Sequence, residues 1–242
     1  MNRHFNYITL YRINKNFDSF LLYFISHWPA ELKIEIINSS IKELSQFTSI
    51  DPNDMVAVFG YGSRVYGCDS EVSDYDYIIV RNGGNRVEYN NAGRRLSVNI
   101  IPLADFQNDL IEHEISALEC LWLPKNKILK AHSFPFTYNP QKLRHSISEK
   151  ASHSFVKAKK KMAVGSKDYN EYVGKKSLFH SLRIIDFGIQ IGIHGKIVNY
   201  SSANHLWEEI VNSPTKDWNY YHDKYKPIHN KMMSDFRILC LK

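Results

Sequence analysis

Two short apolar runs, joined by a glycine-rich bend and a polar loop that closes on paired aspartates, set the terms for this fold. Val58-Phe59 empties into Gly60-Tyr61-Gly62-Ser63-Arg64-Val65-Tyr66-Gly67, and Ser73-Asp74-Tyr75-Asp76-Tyr77-Ile78-Ile79-Val80 follows. Residues 55–59 and 75–80 have strand length and composition, and residues 96–101, stopped by Pro102, read as a third strand after a Gly83-Gly84 turn. Glycines at a strand exit let the backbone approach a ligand closely, and backbone N–H groups with the Ser63 hydroxyl suit a phosphate chain. Asp74 and Asp76 lie two apart on a strand, so both carboxylates reach one face and two hard oxygens converge as Mg²⁺ requires. An isolated Asp-x-Asp is usually a solvated turn. A phosphate cradle and a metal site one loop apart together form what a metal-bound triphosphate needs.

The flanking sequence places this motif in a layer of strands and helices. Pro29 opens a helix whose apolar positions Leu32, Ile36, Ile37, Ile41 and Leu44 carry it to about Phe47. Phe106, Leu110, Ala117, Leu118 and Leu121 predict another helix from Ala104, so residues 29–124 read as one catalytic α/β layer. Residues 1–28, with strand-like alternation at Phe5, Tyr7, Thr9 and Tyr11 and a short helical pattern at 17–28, are set apart as an N-terminal extension. Residues 125–140, with two prolines and several polar groups, read as a linker. Beyond it, Leu143, Ile147, Ala151, Phe155, Ala158 and Met162 hold one helical face and Leu178, Leu182, Ile185 and Ile189 another, so residues 141–242 read as helical, including 204–211 and 221–239. The fold class expected is α+β, a mixed sheet flanked by helices and followed by a helical domain.

Composition narrows the partners. With 43% apolar and 23% charged residues the chain belongs with packed globular proteins. A formal charge of +6 favours polyanionic partners, and the excess is concentrated at residues 142–176, around the lysine run at 159–161. Cys68, Cys120 and Cys240 are too far apart for a disulfide framework or a zinc site, which fits a reducing cytoplasm. No apolar run approaches the roughly 20 residues of a membrane span, and no signal peptide is evident.

The bend and the aspartate pair resemble the DNA polymerase β-like nucleotidyltransferase superfamily, over about residues 33–121 and most densely at 59–80. Gly-Ser-Arg-Val-Tyr-Gly and Ser-Asp-Tyr-Asp-Tyr look most like small bacterial and phage members associated with RNA repair. The resemblance implies a nucleotidyltransferase fold, a mechanism using two Mg²⁺ ions, a nucleoside triphosphate as substrate and a helical domain that carries the acceptor. Carried over, Gly62 and Ser63 bind the β and γ phosphates, Asp74 and Asp76 coordinate Mg²⁺, and Arg64 neutralises phosphate charge. The family places a third carboxylate on a later strand. Here that strand offers Ser97 or Asn99, and Asn99 is the ligand expected, a carbonyl oxygen that cannot take up a proton. Glu88, or Glu112, Glu114 and Glu119 on the following helix, stand as substitutes.

In the helical half, Lys176, His180 and Arg183 fall at i, i+4 and i+7 and line one helix face with phosphate donors. Lys150, His153, Lys157 and Lys160 make a similar stripe that suits either an RNA backbone or solubility. His145, His153, His222 and His229 do not form a metal pair, and Trp207, Trp218, Tyr220 and Tyr221 read as packing residues. The expectation is transfer of a nucleoside monophosphate to an RNA 3′ end, tRNA-like in kind. A protein or small-molecule acceptor, or a catalytically silent nucleotide- or RNA-binding module, remain as alternatives.

Overall fold

The computed structural model describes residues 40–241. The extension at 1–28 and the first part of the helix expected from Pro29 lie outside the described residues, while residues 40–48 are helical as the periodicity predicts. The chain divides into two compact units, Met1–Pro52 and Asn53–Lys242.

Five strands form one mixed sheet, β1 (Met55–Tyr61), β2 (Tyr75–Arg81), β3 (Val87–Asn91), β4 (Leu96–Pro102) and β5 (Ile128–Lys130), in the order β3-β4-β2-β1-β5. β2 and β4 run parallel and the other pairs antiparallel. A single helical turn, α1 (Ser63–Tyr66), leaves β1. Two short helices, α2 (Leu103–Ile111) and α3 (Ile115–Leu121), follow β4. Four more make the helical half: α4 (Pro140–Met162), α5 (Glu171–His194), α6 (Asn204–Ile210) and α7 (Trp218–Leu239). The overall class is α+β. Among the described residues no helix is long and apolar enough to cross a membrane.

Strand alternation sorts the sheet into two faces. Ala57, Phe59, Ile78, Val80 and Ile101 share one face and enter the main core, while Val58, Ile79, Val98 and Ile100 are buried on the other. The core continues through α2 and α3 into the buried stripes of α4 and α5. Those helices pack as an antiparallel hairpin whose close approach is set by Gly174, where a methyl group would meet Met162 Cγ at 2.3 Å. Asn139 caps α4 by accepting from Gln141 N and Lys142 N with Pro140 next, and Asn170 caps α5 by accepting from Val173 N.

Three expectations change. The single helix predicted from Ala104 is two, because His113 takes a left-handed backbone (φ 59°) and its buried ring accepts from Asn139 N and bonds Ile111 O, breaking the run. The stretch 125–140 contains β5, and Phe134 and Phe136 anchor it, with the Phe134 ring 4.8 Å from Phe106 and Phe136 5.8 Å from Trp122. Two half-buried aromatics packed against the core outweigh the polar, proline-containing composition that suggested a linker. The strand β3 is an exposed edge of sequence Val-Glu-Tyr-Asn-Asn, too polar for its residues to signal pairing.

Candidate active site

The bend and the aspartates meet at one end of β1 and β2. Register pairs Tyr61 with Asp76, and Gly62 takes φ 74°, ψ −158°, a conformation open essentially to glycine. From there α1 is one turn, with Val65 N and Tyr66 N donating to Gly62 O. A methyl group built on Gly62 would lie 2.0 Å from Asp76 Oδ2, so the bend backbone and the carboxylate are in direct contact. Asp76 is half-buried and Asp74 exposed. Burial first, and then the neighbouring Asp74 charge, hold the Asp76 carboxyl above the ordinary aspartate range, against the opposing pull of Lys176, a Ser97 hydrogen bond and Arg64.

The register decides what stands beside Asp76. On β4 the residue opposite Asp76 is Ser97, with Asn90 of β3 next in line, whereas Asn99 pairs with Ile78 one row deeper and Glu88 lies beyond it on β3. The place nearest the aspartates that sequence alone left open between Ser97 and Asn99 therefore belongs to Ser97. Glu88 accepts from Asn90 at the exposed edge. Glu112 and Glu114 pair with Lys142 and Lys150, and Glu119 is buried, accepting from Tyr66 OH at 2.5 Å. None of these acids stands with Asp74 and Asp76, and no group of three His, Cys, Asp or Glu side chains that could hold a metal ion occurs among the described residues.

Arg64 is occupied by the loop that carries Asp74. Its Nε donates to Asp74 O, Nη2 to Ser73 O, Nη1 pairs with Asp69 at 3.2 Å, and the guanidinium lies 4.0 Å above the Tyr75 ring. A small cavity of about 180 Å³ adjoins this brace, between Arg64, Tyr75, Tyr77, Asn126 and Asp76.

The predicted basic face of α5 separates with depth. Lys176, near the N-terminal end, acts on Asp76 and sits 5.4 Å over the exposed Tyr172 ring. His180 is kept neutral well below the usual imidazole range by burial and by the charges of Arg183, Lys176 and Lys157. Arg183 Nη2 donates to His180 Nδ1 at 2.9 Å, which leaves the neutral ring's proton on Nε2. Arg183 itself is 2% exposed, stacked 3.4 Å over the Tyr66 ring, with its Nε unpartnered. Its charge faces Glu119 rather than a solvent cleft, and burial drives the Glu119 carboxyl upward despite it. Of the three donors, Lys176 stands at the aspartates, His180 one turn below and Arg183 beneath α1.

Two contributors escaped sequence reasoning. Asn204 of α6 donates from Nδ2 to Tyr66 O at 2.8 Å and Gly67 O at 3.1 Å, a contact between residues 138 positions apart that no local pattern announces. Tyr172, 55% exposed, lies in the field of Asp74, and its place four residues before Lys176 was the available signal. Compared with known proteins, the chain matches no protein-family model and no curated protein.

Proposed function

We propose that this protein is a Mg²⁺-dependent nucleotidyltransferase with the nucleotidyltransferase fold, moving a nucleoside monophosphate from a nucleoside triphosphate to an acceptor hydroxyl. One observation carries the reading: the Gly62 backbone lies against the Asp76 carboxylate so closely that no side chain fits between them. A phosphate held over Gly62 and Ser63 is therefore beside a carboxylate, with Asp74 contributing a second. The donor set suits Mg²⁺, since both groups are hard oxygens and a divalent cation would offset the burial and the Asp74 repulsion that raise the proton affinity of Asp76. When bound, the metal neutralises triphosphate charge and activates the attacking oxygen.

The rest of the site binds and orients. Gly62 and Ser63 cradle the β and γ phosphates, Lys176 offsets charge on the departing pyrophosphate, and His180 offers its Nε2 proton as a neutral donor. Arg64 fixes the loop that presents Asp74. The acceptor oxygen attacks the α-phosphorus as its bond to the β-phosphate oxygen breaks. Ser97, next to Asp76, does not take up the hydroxyl proton at neutral pH, so that proton leaves to water. Incubation with α-labelled triphosphates, Mg²⁺ and an RNA pool tests the reading. Label should move to RNA and stop moving in Asp76→Ala; no transfer by wild type, or equal transfer by the variant, refutes it.

Ser97 also motivates a second reading, a catalytically silent nucleotide-binding module. Mg²⁺-dependent triphosphate binding without turnover, with turnover gained in Ser97→Asp, distinguishes the two.

A further inference from the structure

The lysines at the end of α4 are arranged for an anionic partner. Between Glu149 and Asp168 the sequence has no acidic residue, yet it holds Lys150, Lys157, the three lysines at 159–161 and Lys167. Lys157, Lys159 and Lys160 are exposed, and none of the four at 157–161 forms an ion pair among the described residues, whereas Lys142, Lys150 and Lys175 each have a carboxylate partner. A solvated helix face ordinarily alternates charges at i+4; like charges at that spacing repel, and an anion laid along them reverses the cost.

This surface leads to the aspartates. The α4–α5 hairpin closes with Asn170 N donating to Lys161 O at 2.8 Å, which brings the end of α4 beside the start of α5. There Tyr172 is 55% exposed, with Lys176 5.4 Å from its ring, and its phenol is raised by burial first, then by Cys68 and Asp74. Burial first, then Arg183, Lys176 and Lys157, keep His180 neutral, so the field of the exposed Lys157 on α4 reaches the wall of the site. An exposed aromatic beside the reacting end of a lysine track is the arrangement that binds single strands, with charge following the backbone and a ring stacking a base. A bilayer surface would instead call for an apolar stripe facing outward, and the apolar stripe of α4, Leu143 to Met162, is buried inward.

We propose that this rim receives a single-stranded nucleic acid, its terminal base stacked on Tyr172 and its upstream phosphates running over Lys157, Lys160 and Lys161. The direction of the strand rests on the transferase reading, because the end on Tyr172 is the one presented to Asp74 and Asp76.

Fluorescence anisotropy with labelled single-stranded RNA and DNA of about 12 nucleotides, within the site sizes of single-strand binders, tests it. Both should bind, less tightly as salt rises. The triple variant Lys157→Glu/Lys160→Glu/Lys161→Glu should lower the logarithmic salt slope by about 2, at about 0.7 per phosphate contact. Tyr172→Ala should weaken binding about tenfold and Tyr172→Phe should not. Triphosphate binding, measured separately in Lys160→Glu/Lys161→Glu, should be unchanged. A wild-type slope in the triple variant, wild-type affinity in Tyr172→Ala, or binding to anionic phosphatidylserine vesicles with none to either oligonucleotide overturns the proposal. Strand binding as described with no nucleotidyl transfer upholds this surface while refuting the transferase reading, and transfer without strand binding does the reverse.

Discussion

Gly62→Ala separates the geometry of the bend from its mere composition. The new methyl group would fall 2.0 Å from Asp76 Oδ2 and 2.7 Å from its Cγ, so the carboxylate must retreat by more than about 1 Å to reach ordinary contact. The backbone angles, φ 74° and ψ −158°, add a strain of about 1–3 kcal/mol for a residue with a side chain. Taking about 2 kcal/mol, a chain of this length should lose about 4–8 °C in Tm. Misplacement of a reacting group by about 1 Å costs on the order of 100-fold in rate. Gly83→Ala supplies the control, because Gly83 also has positive φ (61°) but nothing within 4 Å of its added methyl. That variant should lose a fraction of the stability and none of the Mg²⁺-dependent triphosphate binding. Thermal melts and equilibrium dialysis of both variants decide the matter. If Gly62→Ala binds Mg²⁺-triphosphate as wild type does and melts within a degree of Gly83→Ala, the contact between bend and carboxylate has no functional weight.

Asp76→Asn removes a carboxylate that burial and Asp74 both disfavour, so it should raise Tm by a degree or more while abolishing metal binding, read by calorimetry and Mg²⁺ titration. Arg183→Met leaves Glu119 buried without its opposing charge and should cost about 3–5 kcal/mol in denaturant unfolding; a loss under 1 kcal/mol would show that the pair is not coupled. His113, His180 and His229 all have pKa values depressed below 6.5, mainly by burial. Their neutral forms favour the folded state fully above about pH 6.5, and that stability is lost as pH falls below it, by up to about 1.4 kcal/mol per pH unit for each histidine. Urea midpoints at successive pH values below 6.5 should fall, and His113→Gln should flatten part of the slope.

The features legible in the sequence are those fixed by local geometry. Asp74 and Asp76 declare a common face through the strand period of two, and Gly62 declares a bend through its freedom at positive φ. Where the answer depends on pairing partners, the residues are silent: Ser97 and Asn99 lie on the same face of β4, and only register with β2 puts Ser97 beside Asp76. Helix spacing has a similar limit. Lys176, His180 and Arg183 share a stripe, but seven residues advance a helix by about 10 Å, enough to carry Arg183 from the rim of the site to a place beneath Tyr66. Because α5 is buried on most of its circumference, its polar stripe did not mark a solvent face.

The position of Arg183 bears on why the bend holds its shape. A single turn such as α1 has too few hydrogen bonds to stabilise itself, so its geometry must come from what surrounds it. Arg183 lies on one face of the Tyr66 ring, Glu119 accepts the Tyr66 hydroxyl, and Asn204 holds the carbonyls of Tyr66 and Gly67. From the other side, Lys127 Nζ donates to Arg64 O at 2.8 Å. Two of these four groups belong to the helical half, and Lys127 belongs to the segment whose composition looks like a linker. Preorganisation of a phosphate cradle requires that the backbone be fixed before the ligand arrives. A chain ending at residue 124 would keep every residue of the Gly-Ser and Asp-x-Asp motif and lose Lys127, Arg183 and Asn204, three of the four groups that hold the motif in register.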